Sequence, residues 1–115
     1  MLIVFQPHGY GPTRFMRDEL ARAFGAAMRR ADFLIGLPIF DAGGTADRSI
    51  STADLLEQVR GAHCGVAMDR PGALREICTR VREGDVIAVM GARDDSLTRF
   101  ARSILRALRE RERSR

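Results

Sequence analysis

The stretch "LIVFQPHGYGPTRF", Leu2–Phe15, decides how the rest of the chain is read. Leu2 to Phe5 is an unbroken apolar run of strand length. Such a run implies burial on both faces, which is the habit of parallel sheets. Gln6 to Arg14 then brings together His8, Tyr10, Thr13, Arg14, two Gly and two Pro. A turn needs only two or three such residues. The surplus marks this connection as a functional loop at the carboxyl end of a buried strand.

Three further apolar runs match the first: Phe33–Leu37, Cys64–Met68 and Val86–Met90. Helical stripes lie between and after them. Met16, Leu20, Ala23, Phe24, Ala27 and Met28 recur at spacings of three and four. Ala53, Leu56 and Val59 form a shorter stripe, opened by a capping box of Ser51 and Asp54. Leu74, Ile77, Cys78 and Val81 form a third, with Pro71 in its first turn and Gly84 past its end. Leu97, Phe100, Ala101, Ile104, Leu105 and Leu108 form the fourth. The order βαβαβαβα predicts an α/β fold: a Rossmann-like open, mainly parallel sheet of about four strands with helices on both faces. Residues 1–108 form this domain, and 109–115 form a basic tail expected to fray.

Length and composition narrow the function classes. The 115 residues suffice for one core. No apolar run approaches the ~20 residues that cross a bilayer, and no leader pattern opens the chain, so a cytoplasmic setting is expected. The net charge is +4, yet seven of the 19 Arg lie in residues 99–115. Residues 1–98 carry twelve Arg against thirteen acids, a net of −1. The basic balance thus belongs to the last helix, where cations suit the helix dipole. Neither a nucleic-acid nor a membrane partner is expected. The chain has no Lys, which excludes a P-loop and Schiff-base chemistry. Cys64 and Cys78 lack metal or redox spacing and read as small apolar residues of a reduced compartment.

Ligands of an open α/β sheet bind outside the carboxyl ends of its strands. The loops on that edge are Gln6–Thr13, Pro38–Ile50, Asp69–Arg70 and Gly91–Asp95, and they gather the unusual residues. Candidate ligand-facing residues are His8, Tyr10, Thr13, Arg14, Gly43, Gly44, Thr45, Arg48, Arg93 and Asp94. Plainer roles stand beside each: His8 and Tyr10 packing within a loop, Gly43–Gly44 making a bare turn, and Asp94, Asp95 or Ser96 capping the last helix. Arg93 opposes the dipole of the helix it precedes, unless an acid or an anionic ligand meets it. No catalytic residue and no metal-binding cluster is identified.

Three stretches resemble the C-terminal domain of the Mur ligases, most nearly their UDP-N-acetylmuramate–alanine ligase branch. "VFQPHGYGPTR" (Val4–Arg14) resembles the motif Val-Phe-Gln-Pro-His-Arg-Tyr-Thr-Arg-Thr-Arg. "LPIFDAGGTADRSISTADLLEQVR" (Leu37–Arg60) and "GDVIAVMGARDDSL" (Gly84–Leu97) are similar to the family's later strand–loop–helix segments. The resemblance implies a domain of an ATP-dependent ligase of peptidoglycan precursor synthesis, in the cell wall pathway. Such a domain closes over ATP and positions the incoming amino acid. It implies ATP and Mg²⁺ in the full-length ligase, with neither held tightly by this chain alone. It also implies upstream central and N-terminal domains as partners, and no ligation by the isolated chain.

Gly9, Gly11, Pro12, Phe40 and Gly44 depart from the family pattern, so no amino-acid substrate is assigned. Arg48 and Arg93 are candidates to replace the loop cations lost at Gly9 and Pro12. The alternative is a stand-alone α/β binding or regulatory module that has lost ligation. A homodimer through an uncovered sheet edge is a third expectation.

Overall fold

The computed structural model describes residues 1–41, 49–60, 63–91 and 95–114. β1 (Leu2–Gln6) lies inside a four-stranded parallel sheet, between β2 (Phe33–Gly36) and β4 (Ile87–Gly91). β3 (His63–Val66) pairs on the far side of β2, giving the order β3-β2-β1-β4. Val4 stands opposite Ile35 on one side and Val89 on the other. The helices are α1 (Tyr10–Phe15), α2 (Arg17–Ala27), α3 (Thr52–Glu57), α4 (Arg70–Arg80) and α5 (Asp95–Arg113). The expected Rossmann-like α/β architecture is thus observed.

Alternation along β1 and β2 divides the core into two layers. Leu2, Val4 and Ile35 face Ala73 and Ile77 of α4 and Leu97, Phe100 and Ile104 of α5. Ile3, Phe5 and Leu34 face Ala21 of α2 and Leu55 and Leu56 of α3. Phe5 and Phe24 meet edge-to-face at 5.1 Å. Close packing on this second face depends on Gly36. A Cβ there would lie 2.5 Å from Thr52 Cγ2 and 2.9 Å from Leu56 Cδ1.

Several boundaries differ from the periodicity. Burial on both faces holds for β1 and for most of β2, but not for the outer strands. Val66 is 48% exposed beside the β3 edge and Met90 45% at β4. Edge strands lack a neighbour, and the α2–α3 core layer contains no β4 residue. The capping box forms as expected, with Asp54 accepting from Ser51 N–H at 2.8 Å. Gly84 does not end the third expected helix directly. α4 stops at Arg80, and Gly84 (φ 88) sits in the following turn, closed by a bond from Asp85 N–H to the Arg82 carbonyl. α5 continues through the 109–113 segment assigned to a tail, and the Arg111 guanidinium donates to the Cys78 carbonyl.

Candidate functional site

The carboxyl ends of β1 and β2 are joined beyond the sheet itself. Phe40 N–H donates to the Pro7 carbonyl at 2.8 Å, and Gly9 N–H returns a bond to the Phe40 carbonyl at 2.8 Å. His8 and Phe40 form a parallel bridge, and their rings stack at 5.5 Å. The first two rim loops are therefore one backbone-paired unit, with His8 exposed on it.

Gly9 makes the turn out of this unit. Its φ of 76° lies in the left-handed region, where a residue with a Cβ is strained. α1 starts immediately after it, at Tyr10. The loop expected over Gln6–Thr13 is thus partly helical. Gly11 and Pro12 read as breakers, but Pro is compatible with a first helical turn because no donor is needed there. Thr13 is buried and donates its hydroxyl to the Gly9 carbonyl at 2.6 Å. Its role is to close the turn rather than to present a hydroxyl at the rim. Tyr10 is half-buried at the start of α1, and Arg14 is exposed in its last turn. Gly43, Gly44, Thr45, Arg48, Arg93 and Asp94 lie outside the described residues; of the expected set, His8, Tyr10, Thr13 and Arg14 are described, within the one segment that runs from the end of β1 through α1.

Arg70 is a rim residue that the motifs do not single out. Its guanidinium donates to Ser96 Oγ at 2.7 Å and to the Ser96 carbonyl at 3.1 Å, and reaches Gln6 Oε1 at 3.4 Å. It also lies 5.6 Å from the Phe100 ring centroid. One side chain thereby ties the end of β1 to the starts of α4 and α5. Gln6, Phe40, Asp41, Asp69 and Arg70 border a cleft of about 300 Å³ at this rim. Asp69 caps α4 through a 2.7 Å bond from Gly72 N–H. The only sequence signal for Arg70 is its place beside that cap.

Chemically, this rim offers ring faces, hydrogen-bond donors and cations for holding a ligand. No group of three His, Cys, Asp or Glu that could hold a metal occurs among the described residues. Cys64 is half-buried, and burial pushes its thiol pKa up, away from the thiolate a nucleophile requires. No described helix is long and apolar enough to cross a membrane.

A parallel sheet ordered 3-2-1-4 with core layers and helices on both faces defines a Rossmann-like α/β domain. No protein-family model matches the sequence. The UDP-N-acetylmuramate–L-alanine ligase of Desulfatibacillum aliphaticivorans is 34% identical over 95 residues, 80% of this chain and 20% of that protein. The enzyme of the same name from Mycobacterium sp. (strain JLS) is 34% identical over 110 residues, 96% of this chain and 21% of that protein. That of Hydrogenovibrio crunogenus is 33% identical over 97 residues, 82% and 20% of the two chains. The chain is similar to UDP-N-acetylmuramate–L-alanine ligases over most of its own length, consistent with the C-terminal domain of a Mur ligase. It spans about a fifth of the length of these curated relatives.

Proposed function

We propose that this chain acts as the C-terminal, substrate-facing domain of a cytoplasmic Mur-type ligase of peptidoglycan precursor synthesis, similar to UDP-N-acetylmuramate–alanine ligase. It closes over a nucleotide site supplied by the upstream domains and positions the incoming amino acid. The observation that carries this reading is the paired rim. His8 and Gly9, in the stretch that resembles the family most specifically, are bridged to Phe40 of the second resembling stretch at the carboxyl edge.

ATP and Mg²⁺ belong to the full-length ligase. The described residues do not fit either as a resident cofactor: the chain has no Lys for a phosphate cradle, and no described acidic cluster suits a metal. The chain's own part is to orient a small substrate by ring faces and cations and to exclude water on closure. His8, Tyr10 and Arg14 are the described residues proposed for this. Gly43, Gly44, Thr45, Arg48, Arg93 and Asp94 complete the proposed set. A second proposed association is with another copy of the chain through an uncovered sheet edge.

The test replaces the C-terminal domain of a UDP-N-acetylmuramate–L-alanine ligase with this chain and measures ATP-dependent amide formation across a panel of amino acids. The chimera is expected to ligate, and the isolated chain to show no ligation. A folded chimera that ligates none of the amino acids would overturn the proposal, as would ligation by the chain alone.

A further inference from the structure

α5 carries its arginines in a row. Arg99, Arg102, Arg106, Arg109 and Arg113 follow one another at spacings of three and four. At ~3.6 residues per turn they fall within about 80° of arc and along ~21 Å of helix. Leu97, Phe100 and Ile104 bury the opposite face of the helix in the core. All five arginines are exposed, and among the described residues no hydrogen bond or ion pair occupies their guanidinium groups. Glu110 is the acid that stands beside them.

Helix physics alone does not account for this row. Each of the five has a like charge three or four positions away, and such pairs destabilise a helix. The dipole favours cations only near the carboxyl end, an effect that fades within the last turn. Arg111 and Arg113 stand in that turn, whereas Arg99, Arg102 and Arg106 do not. Composition gives no sign of a membrane partner because the rest of the chain is close to neutral. The fold instead gathers the excess charge on one convex face.

A flat anionic surface suits that face. The row is straight, so one plane touches all five guanidinium groups, whose planar forks match phosphate oxygens. Leu105 borders the row and is 50% exposed. An apolar side chain beside cations fits the interfacial layer of a bilayer. A nucleic-acid groove suits it less, because a helix that enters one is accompanied by a second element gripping the backbone. The groove flanking the row at β4 instead mixes Arg82, Arg109 and Arg111 with Glu83, Asp85 and Glu112.

We propose that the arginine row of α5 docks this domain reversibly on the anionic phosphate headgroups of a bilayer. The contact is electrostatic, since the apolar stripe of α5 is committed to the core. Docking of this kind does not depend on ligation, so the chimera assay and the following experiment fail independently.

Co-sedimentation of the full chain with vesicles is the test. The probes are vesicles of phosphatidylglycerol and phosphatidylcholine in equal amounts, and vesicles of phosphatidylcholine alone. Binding is expected to the first and not to the second at ~0.1 M salt, and to be lost at ~1 M, where the Debye length falls to ~3 Å. An arginine near such a surface contributes about fivefold to binding, so Arg102→Gln/Arg106→Gln is expected to weaken it at least tenfold. Arg22→Gln/Arg30→Gln removes the same charge from exposed positions at and beyond α2 and is expected to leave binding unchanged. Glutamine keeps helix propensity, and circular dichroism checks that both variants fold. A wild-type chain that stays in the supernatant with the anionic vesicles at ~0.1 M salt would overturn the proposal, and this needs no variant. So would equal weakening by the two double variants, which would reduce binding to net charge, or tighter binding to duplex DNA than to the vesicles at the same salt.

Discussion

Replacing Gly36 by Ala tests the packing that holds the second core layer under the rim. The added Cβ would meet Thr52 Cγ2 at 2.5 Å. Thr52 cannot turn away without cost. It is β-branched, it is buried, and its hydroxyl donates to the Leu37 carbonyl at 2.6 Å. Leu56 Cδ1, at 2.9 Å, can yield by changing rotamer. Overpacking of this kind costs about 1–3 kcal/mol. Breaking the Thr52 bond would add about 1 kcal/mol. The expected loss is therefore about 2–4 kcal/mol, or roughly 8–16 °C in Tm at ~4 °C per kcal/mol for a domain of this size. Circular dichroism melting with urea unfolding measures it. Adding Thr52→Ser removes the clashing methyl and keeps the hydroxyl, so the double variant should recover at least half of the loss. A Gly36→Ala protein within about 0.5 kcal/mol of wild type, the range of harmless surface changes, would refute the reasoning. So would a double variant with no recovery.

Asp32 has its pKa lowered first by the Arg29 N–H bond at 2.8 Å and then by the Met1 ammonium at 3.0 Å. A depressed carboxylate stabilises fully above its unfolded value near 3.8 and loses that contribution as pH falls through the lower folded value. Melting temperature should drop in that acid window, and Asp32→Asn should flatten the drop; an identical profile in the variant would count against it. Arg70→Ala should cost about 1–2 kcal/mol by removing its bonds to Ser96 and Gln6, and amide exchange should quicken in the first turns of α5. Arg70→Lys should recover little, because an ammonium cannot span both partners as the planar fork does; full recovery would contradict the brace. His8→Ala in the ligase chimera should weaken the response to substrate while shifting stability by less than about 1 kcal/mol, since the paired backbone of the rim remains. A heavy loss of stability with unchanged substrate response would make His8 structural.

The core was legible because burial leaves a period in the sequence. Val4 and Leu34 sit in unbroken runs, and Leu97, Phe100 and Ile104 sit on a helical stripe, so local pattern and tertiary position agree. Edge status was not legible. Val66 and Met90 stand in runs as apolar as that of β1, but strand order is set by the crossovers, and an edge strand's composition need not reveal its missing neighbour. α1 was hidden by Gly11 and Pro12, which oppose a helix interior but fit the single turn that Thr13 closes on Gly9. Arg70 was hidden for another reason. Its partners lie 26 residues ahead and 64 residues behind, beyond the reach of any motif.

Two of the first loop's departures from the Mur pattern, Gly9 and Pro12, are physically linked rather than separate losses. Gly9 stands where the resemblance implies Arg, and its φ of 76° disfavours any residue with a Cβ. A Cβ placed there would come within 3.2 Å of Pro12 Cδ, and Pro12 itself stands where the resemblance implies another Arg. The ring of Pro12 and the absence of a side chain at Gly9 therefore fit each other. Exchanging either one alone for its family counterpart would not reproduce the family loop. On the described rim Arg14, at the end of α1, keeps the last arginine of the family motif, and Arg70 stands beside Gln6.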